Sequence, residues 1–346
     1  MRPVTKPHAS ICAAGLCAGL SLLAPAPAVA QTSLDPSVAY NYGENETPRS
    51  AAMGGALRAM GTGTTALFLN PATLPEARLY HVEAIGQVAP ETNRQVYGGT
   101  VVDSVTSRLA GSFSFTGGWV DKAGLNRNFL DMRLGLAYPI TDRLLVGLTG
   151  RYFKLSQSGL GPLGLSAVSG GLPDPGSATP TPGSPGPQGR LAIINNLTFD
   201  VGLVAKPTDS IFVAAVGQNL TYPKNGLMPT TVGGGLGYAN EVFSIEADGI
   251  ADLNSWDKPT ARVGAGAEYL VAGVVPIRAG YRFDQGARLN TVSLGTGYIG
   301  TFFSIEAAVK RTISSPGATT MVFSVAYFLE SSGLTHAAAP TPEVAQ

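Results

Sequence analysis

Phe243-Ser244-Ile245-Glu246-Ala247-Asp248-Gly249-Ile250-Ala251-Asp252 decides how this chain is read. Phe243, Ile245 and Ala247 alternate with Ser244, Glu246 and Asp248, a period of two that belongs to a strand with unlike faces. The same pattern recurs in both directions along the chain. Ile277, Ala279, Tyr281 and Phe283 oppose Arg278, Arg282 and Asp284. Phe303, Ile305, Ala307 and Val309 oppose Ser304, Glu306 and Lys310. Met132, Leu134, Leu136 and Tyr138 oppose Asp131 and Arg133.

Working outward, the alternation predicts fourteen strands, at about 79–90, 94–103, 108–120, 129–140, 144–156, 192–206, 211–222, 229–239, 242–252, 260–270, 274–284, 290–300, 302–311 and 319–329. Most approach the ~9–11 residues a tilted strand needs to cross a bilayer, well above the ~5–6 of a typical globular strand. After residue 30 no unbroken apolar stretch approaches the roughly 18 residues that a membrane helix requires.

A soluble sandwich can also alternate, with its charges facing water. Two features favour an antiparallel transmembrane β-barrel. The connections at one end are tight (Thr141-Asp142-Arg143, Lys206-Pro207-Thr208-Asp209, Ala239-Asn240-Glu241, Gly300-Thr301), and those at the other are generally longer. Short periplasmic turns with longer outer loops mark such barrels. Tyr80, Tyr138, Tyr238, Tyr269, Tyr298 and Tyr327 fall on apolar faces at the tight-turn ends, with Trp119, Tyr152 and Tyr222 at the opposite ends. Those are two interfacial belts.

The flanks set the domain organisation. Arg2 and Lys6, the apolar run Ile11 to Leu23 and Ala28-Val29-Ala30 predict a signal peptide over 1–30, cleaved after Ala30, and export to the bacterial outer membrane. Cleavage would remove Cys12 and Cys17, leaving no disulfide or thiolate chemistry. Losing Arg2 and Lys6 leaves 21 bases against 23 acids, no electrostatic case for nucleic-acid binding. Residues 31–78 precede the barrel of 79–330, the Pro/Gly-rich stretch 157–190 forms its longest outer loop, and 331–346 form a tail.

Little in the chain points to catalysis or a cofactor. The mature histidines are His81 and His336, without metal-ligand spacing. Gly61-Thr62-Gly63-Thr64-Thr65-Ala66 matches a dinucleotide fingerprint but follows no strand of a βαβ unit.

Arg49-Ser50-Ala51-Ala52-Met53-Gly54-Gly55-Ala56 and Thr65-Ala66-Leu67-Phe68-Leu69-Asn70-Pro71-Ala72 resemble the N-terminal signature of the long-chain fatty-acid transporter (FadL) family, shared with PorV-like secretion relatives. The resemblance implies a fourteen-stranded barrel whose N-terminal segment is a hatch inside the lumen. Met53, Gly54, Gly55, Asn70, Pro71 and Ala72 would be its motif. It also implies sideways exit of a hydrophobic ligand at a kinked third strand, for which Gly117-Gly118 is the candidate, since paired glycines weaken strands. Inward acids are expected at Glu83, Asp131, Asp200, Glu246, Asp248, Glu268, Asp284 and Glu306, and inward bases at Arg133, Arg151, Arg262, Arg278, Arg282 and Lys310. An ion-selective pore would favour one sign; this near balance points to pairing with wall and hatch, or to charges standing in lumen water. Two functions follow as expectations. One is passive, hatch-gated uptake of hydrophobic, fatty-acid-like small molecules by a barrel in membrane lipid. The other is an accessory, PorV-like barrel that binds a protein partner through its loops or tail.

Overall fold

The computed structural model describes residues 44–78, 80–120, 127–158, 190–223, 228–256, 258–314 and 317–329. The expected signal peptide (1–30), residues 31–43, all but the ends of the 157–190 loop and the 331–346 tail lie outside the described residues.

Fourteen antiparallel strands close into one barrel in sequence order, with β1 beside β14. They are β1 (Tyr80–Ala89), β2 (Arg94–Asp103), β3 (Ala110–Val120), β4 (Arg127–Thr141), β5 (Leu144–Ser158), β6 (Arg190–Ala205) and β7 (Ile211–Gln218), then β8 (Thr231–Ala239), β9 (Phe243–Asp252), β10 (Thr260–Val271), β11 (Val275–Asp284), β12 (Leu289–Ile299), β13 (Phe303–Thr312) and β14 (Thr319–Phe328). Along β9 exposure and burial alternate without a break. Phe243 and Ile245 face outward while Glu246 and Asp248 face in and are buried. The outer face carries Leu134, Leu197, Leu236, Leu294 and Val325, all exposed. Apolar residues outside and charges inside invert the order of a soluble protein, as lipid requires. Tyr138, Tyr238, Tyr269, Tyr298 and Tyr327 are exposed at the tight-turn ends and Trp119 at the other.

Two expectations about the strands change. β7 stops at Gln218, short of Tyr222, because Asn219 and Tyr222 take left-handed backbone conformations (φ 54° and 53°) that turn the chain out of the ladder. Tyr222 is therefore exposed in a connection, not on a strand. The expected kink at Gly117-Gly118 is absent, for both glycines pair in register with β2 and β4. Gly118 is buried under the Phe129 ring, where a Cβ would overlap it, so this glycine makes room for an aromatic without bending the strand. The register shifts of this wall lie elsewhere, between Pro139 and Thr141 and between Leu155 and Ser156.

Residues 44–78 lie within the ring, touching strands on opposite sides of it. Helix α1 (Pro48–Ala52) starts with Pro48 at its first position. Its end is capped reciprocally: the Thr47 hydroxyl accepts from the Ser50 N–H, and the Ser50 hydroxyl accepts from the Thr47 N–H. Helix α2 (Gly63–Leu69) ends at Asn70, whose extended backbone is what a following proline imposes. The Asn70 Oδ1 then accepts from Ala72 N–H at 3.1 Å and starts a 3-10 turn over Pro71–Thr73. Apolar side chains of both helices pack on inward wall residues: Ala51 and Ala52 on Ala308 and Val322, and Leu67, Phe68 and Leu74 on Ile85, Val102 and Ala137.

Candidate functional site

The lumen and the segment inside it form the candidate site. Glycines on the inner wall decide where that segment sits. A Cβ added at Gly264, Gly266 or Gly280 would strike backbone atoms of Ala52, Met53 or Gly54, and one at Gly295 would strike Ala52 Cβ. Across the barrel, a Cβ at Gly147 would strike Pro71 and Ala72, and one at Gly202 would strike Asn70. Each half of the Met-Gly-Gly and Asn-Pro-Ala motif thus lies backbone-first on a bed of wall glycines, the first on β10–β12 and the second on β5 and β6. Gly54 and Gly55 add left-handed backbone (φ 68° and 77°), which lets the chain turn within this space.

Between the two seats, four consecutive backbone amides are taken by neighbouring carboxylates of β9. Leu57 and Arg58 N–H donate to Asp248 Oδ2 at 3.1 and 3.2 Å, and Ala59 and Met60 N–H donate to Glu246 at 2.6 and 3.0 Å. Arg58 adds an ion pair to Asp248 at 3.0 Å. Amides in an irregular, buried stretch need such acceptors, since unmet donors there are costly.

Three successive residues at the start of the segment span the lumen. Glu44 accepts from Arg262 and Arg282 at 2.5 and 2.9 Å, on β10 and β11. Burial would raise the Glu44 carboxyl, but Arg282 and Arg262 beside it hold it well below the usual carboxylate range. Asn45 donates to Thr116 and Asp131, on β3 and β4. Glu46 pairs with Lys310 on β13, and its carbonyl accepts from Gln87 on β1.

The charged side chains of the inner wall meet different partners. Asp131 is held by Arg133 and Arg151 at 3.0 and 2.7 Å. Arg133 also donates to the Phe68 carbonyl, as does Gln218. Glu268 bridges Arg278 and Arg49, and Arg278 continues to Glu306. Asp200 and Asp284 accept backbone amides of Asn219 and Ala287. Glu83 lies 4.0 Å from His81. The sequence reading missed Glu44, Glu46, Arg49 and Arg58, because counter-charges were sought only on strands. It also missed the glycine beds, whose signal is glycine recurring at inward strand positions where a polar side chain is expected.

Among the described residues, two spaces lie beside the segment. One, of about 20 Å³, lies among Glu44, Phe68, Arg133, Arg151 and Asn219 on the long-loop side. The other, of about 250 Å³, lies towards the tight-turn end between the two helices and the inner faces of β10–β14 and β1, and His81, Glu83, Arg278, Glu306 and Phe328 line it.

No family model matches the sequence, and no curated protein matches it at the sequence level. Solved structures do match in shape. The toluene transporter TbuX of Ralstonia pickettii aligns over 83% of this chain and 99% of its own, with TM-score 0.59 and 18% identity. The fold is FadL-like. The monoaromatic hydrocarbon channel CymD covers 82% of this chain and 96% of its own at TM-score 0.58 and 16% identity. A FadL homologue of Pseudomonas aeruginosa covers 85% and 98% at TM-score 0.55 and 15% identity. At these identities the likeness establishes the FadL-like barrel, an outer-membrane architecture.

Proposed function

We propose that this protein is a passive uptake barrel for hydrophobic small molecules in the outer membrane, and that residues 44–78 are its gate. One observation carries the reading: a barrel with a lipid-facing apolar exterior has its lumen filled by its own N-terminal segment, seated on glycines at two opposite walls. A general pore would leave a wide channel, since larger barrels enclose lumens that water fills unless something occupies them. The toluene and monoaromatic hydrocarbon channels of the same fold support a hydrophobic cargo. Continuous pairing at Gly117 and Gly118 gives no support to sideways exit at β3, so the reading places the path along the segment itself.

The test is a reversible staple. With Ala52→Cys and Ala308→Cys, whose side chains share one buried cluster, oxidation would tie the first seat to β13. Purified protein in lipopolysaccharide-containing liposomes is expected to admit toluene and decanoate faster than empty vesicles do when the pair is reduced, and no faster when it is oxidised. Equal flux in both states would end the gating reading. Flux no higher than that of empty liposomes, for the native chain, would end transport altogether.

A further inference from the structure

We propose that the 250 Å³ cavity at the tight-turn end is a binding site for a small neutral molecule with an apolar body and one hydroxyl group, of the phenol class. The claim concerns binding, and stands or falls independently of whether the barrel transports.

The size comes first. A cavity of roughly 150 Å³ in a protein interior takes up benzene, and this one measures about 250 Å³. Part of its wall is apolar, from Leu270, Ile299, Ala326 and Phe328. Phe328 meets the His81 ring edge-on with 6.0 Å between centroids, which makes an aromatic corner.

The polar wall specifies the rest. Arg278 is 1% exposed. Its Nε donates to Glu268 at 2.5 Å and its Nη1 to Glu306, while its Nη2 has no partner among the described residues. His81 is 3% exposed, and its Nε2 lies 3.5 Å from the Thr64 hydroxyl while its Nδ1 has no partner among the described residues. Buried polar atoms are normally hydrogen-bonded, and both residues with an unmet atom line the cavity. Arg278 Nη2 calls for an acceptor oxygen. His81 Nδ1 or the Glu83 carboxylate can take a donated O–H.

Charge excludes the ionic alternatives. Arg49 and Arg278 are matched by Glu268 and Glu306, which leaves Glu83 as the acid beside His81. A carboxylate ligand would meet Glu83 with no uncommitted cation. An ammonium ligand would offer nothing to Arg278 Nη2. A neutral hydroxyl both accepts and donates, so it answers both unmet groups.

Calorimetric titration of the full-length protein in detergent would use phenol, toluene, benzoate and benzylamine as probes. Phenol is expected to bind at one site, about tenfold or more tighter than the other three, since one hydrogen bond to a charged group is worth about 1.5–3 kcal/mol. His81→Phe keeps the ring and removes Nδ1, and should erase the preference for phenol over toluene. Ala326→Phe fills the cavity and should abolish phenol binding. Both variants must keep the heat-sensitive gel mobility of a folded barrel; if Ala326→Phe fails to, Ala326→Leu, which adds less volume, replaces it, and if His81→Phe fails to, His81→Leu, which also removes Nδ1, replaces it. Phenol bound no better than toluene, tighter binding of benzoate or benzylamine, or undiminished phenol binding in the filled variant would each overturn the assignment.

Discussion

Two quadrants of the lumen use the same device and come out differently. On the β3–β7 side the Asn70-Pro71-Ala72 turn sits low, against Gly147 and Gly202, each three residues from the tight-turn end of its strand. Above it the Asp131, Arg133 and Arg151 cluster closes the space, with Asn219 joined to Arg151 at 3.1 Å. On the β10–β14 side the Ala52-Met53-Gly54 backbone sits nearer mid-strand, against Gly266 and Gly280, and the large cavity lies below it. Among the described residues the first quadrant holds a space of about 20 Å³ and the second one of about 250 Å³. If residues 44–78 gate passage as proposed, resistance should reside mainly at β3–β7, with room for a molecule on the other side.

The largest difference is expected at the buried charges. Asp131 is fully buried and serves two guanidiniums and Asn45. Asp131→Asn removes the carboxylate that Arg133 and Arg151 share, and removing one partner of a buried pair costs about 3–5 kcal/mol. Glu306→Gln acts on Arg278, which keeps Glu268 and borders a cavity able to admit water, so the loss should stay near ~1.5 kcal/mol. Urea unfolding in lipid vesicles, followed by tryptophan fluorescence, measures both. Equal losses would erase the distinction between the quadrants.

Unseating each half of the motif comes next. Gly147→Val and Gly280→Val both push a side chain into backbone, for which overpacking costs of about 1–3 kcal/mol apply. Their consequences should diverge. Gly147→Val loosens the turn after α2, and with it the Phe68 carbonyl that holds Arg133 and Gln218. A stable conductance should then appear in planar bilayers. Gly280→Val disturbs a seat that already borders open space, while the filled quadrant stays shut, and conductance should remain at baseline. The reverse result would relocate the seal to β10–β14.

How much of this was legible in the sequence follows from what period two can report. Alternation reads inward from outward, so the strands and the inward charges were recoverable, down to β9 and β13 within a residue of their ends. It carries no information on what an inward group meets. Glu246 and Asp248 read as lumen charges seeking bases, yet they chiefly accept four backbone amides from a segment nearly two hundred residues away in the chain. Glu44 and Glu46, in a stretch that reads as polar and turn-rich, supply the charges that Arg262, Arg282 and Lys310 face. Gly117-Gly118 failed for a related reason. Composition signals a weak strand wherever glycines pair, but a glycine under an aromatic ring is a packing feature, and only the position of Phe129 tells the two apart.

The smallest contrast lies in single hydrogen bonds that tie each seat to the wall. Asn70 is fully buried; its Nδ2 donates to the Arg58 carbonyl at 2.7 Å and reaches the Leu203 carbonyl at 3.5 Å, while Oδ1 accepts from Ala72 N–H. Asn70→Ala would leave a buried N–H and a buried carbonyl unmet and would remove the group that starts the turn, a loss of about 2–3 kcal/mol. Ser293 makes the matching tie on the other side, with its hydroxyl donating to the Ala52 carbonyl at 2.8 Å. Ser293→Ala removes one neutral bond, worth about 1 kcal/mol, and the backbone-on-glycine contact of Met53 and Gly54 stays in place. Limited trypsin digestion resolves the two without unfolding the barrel, because Arg58 is buried at 3% exposure beside the Asn70 tie. Cleavage after Arg58 should speed up in Asn70→Ala and stay near the native rate in Ser293→Ala. If both variants were cut alike, the second seat would hold the segment no more firmly than the first, and the β3–β7 quadrant would be filled without being the seal.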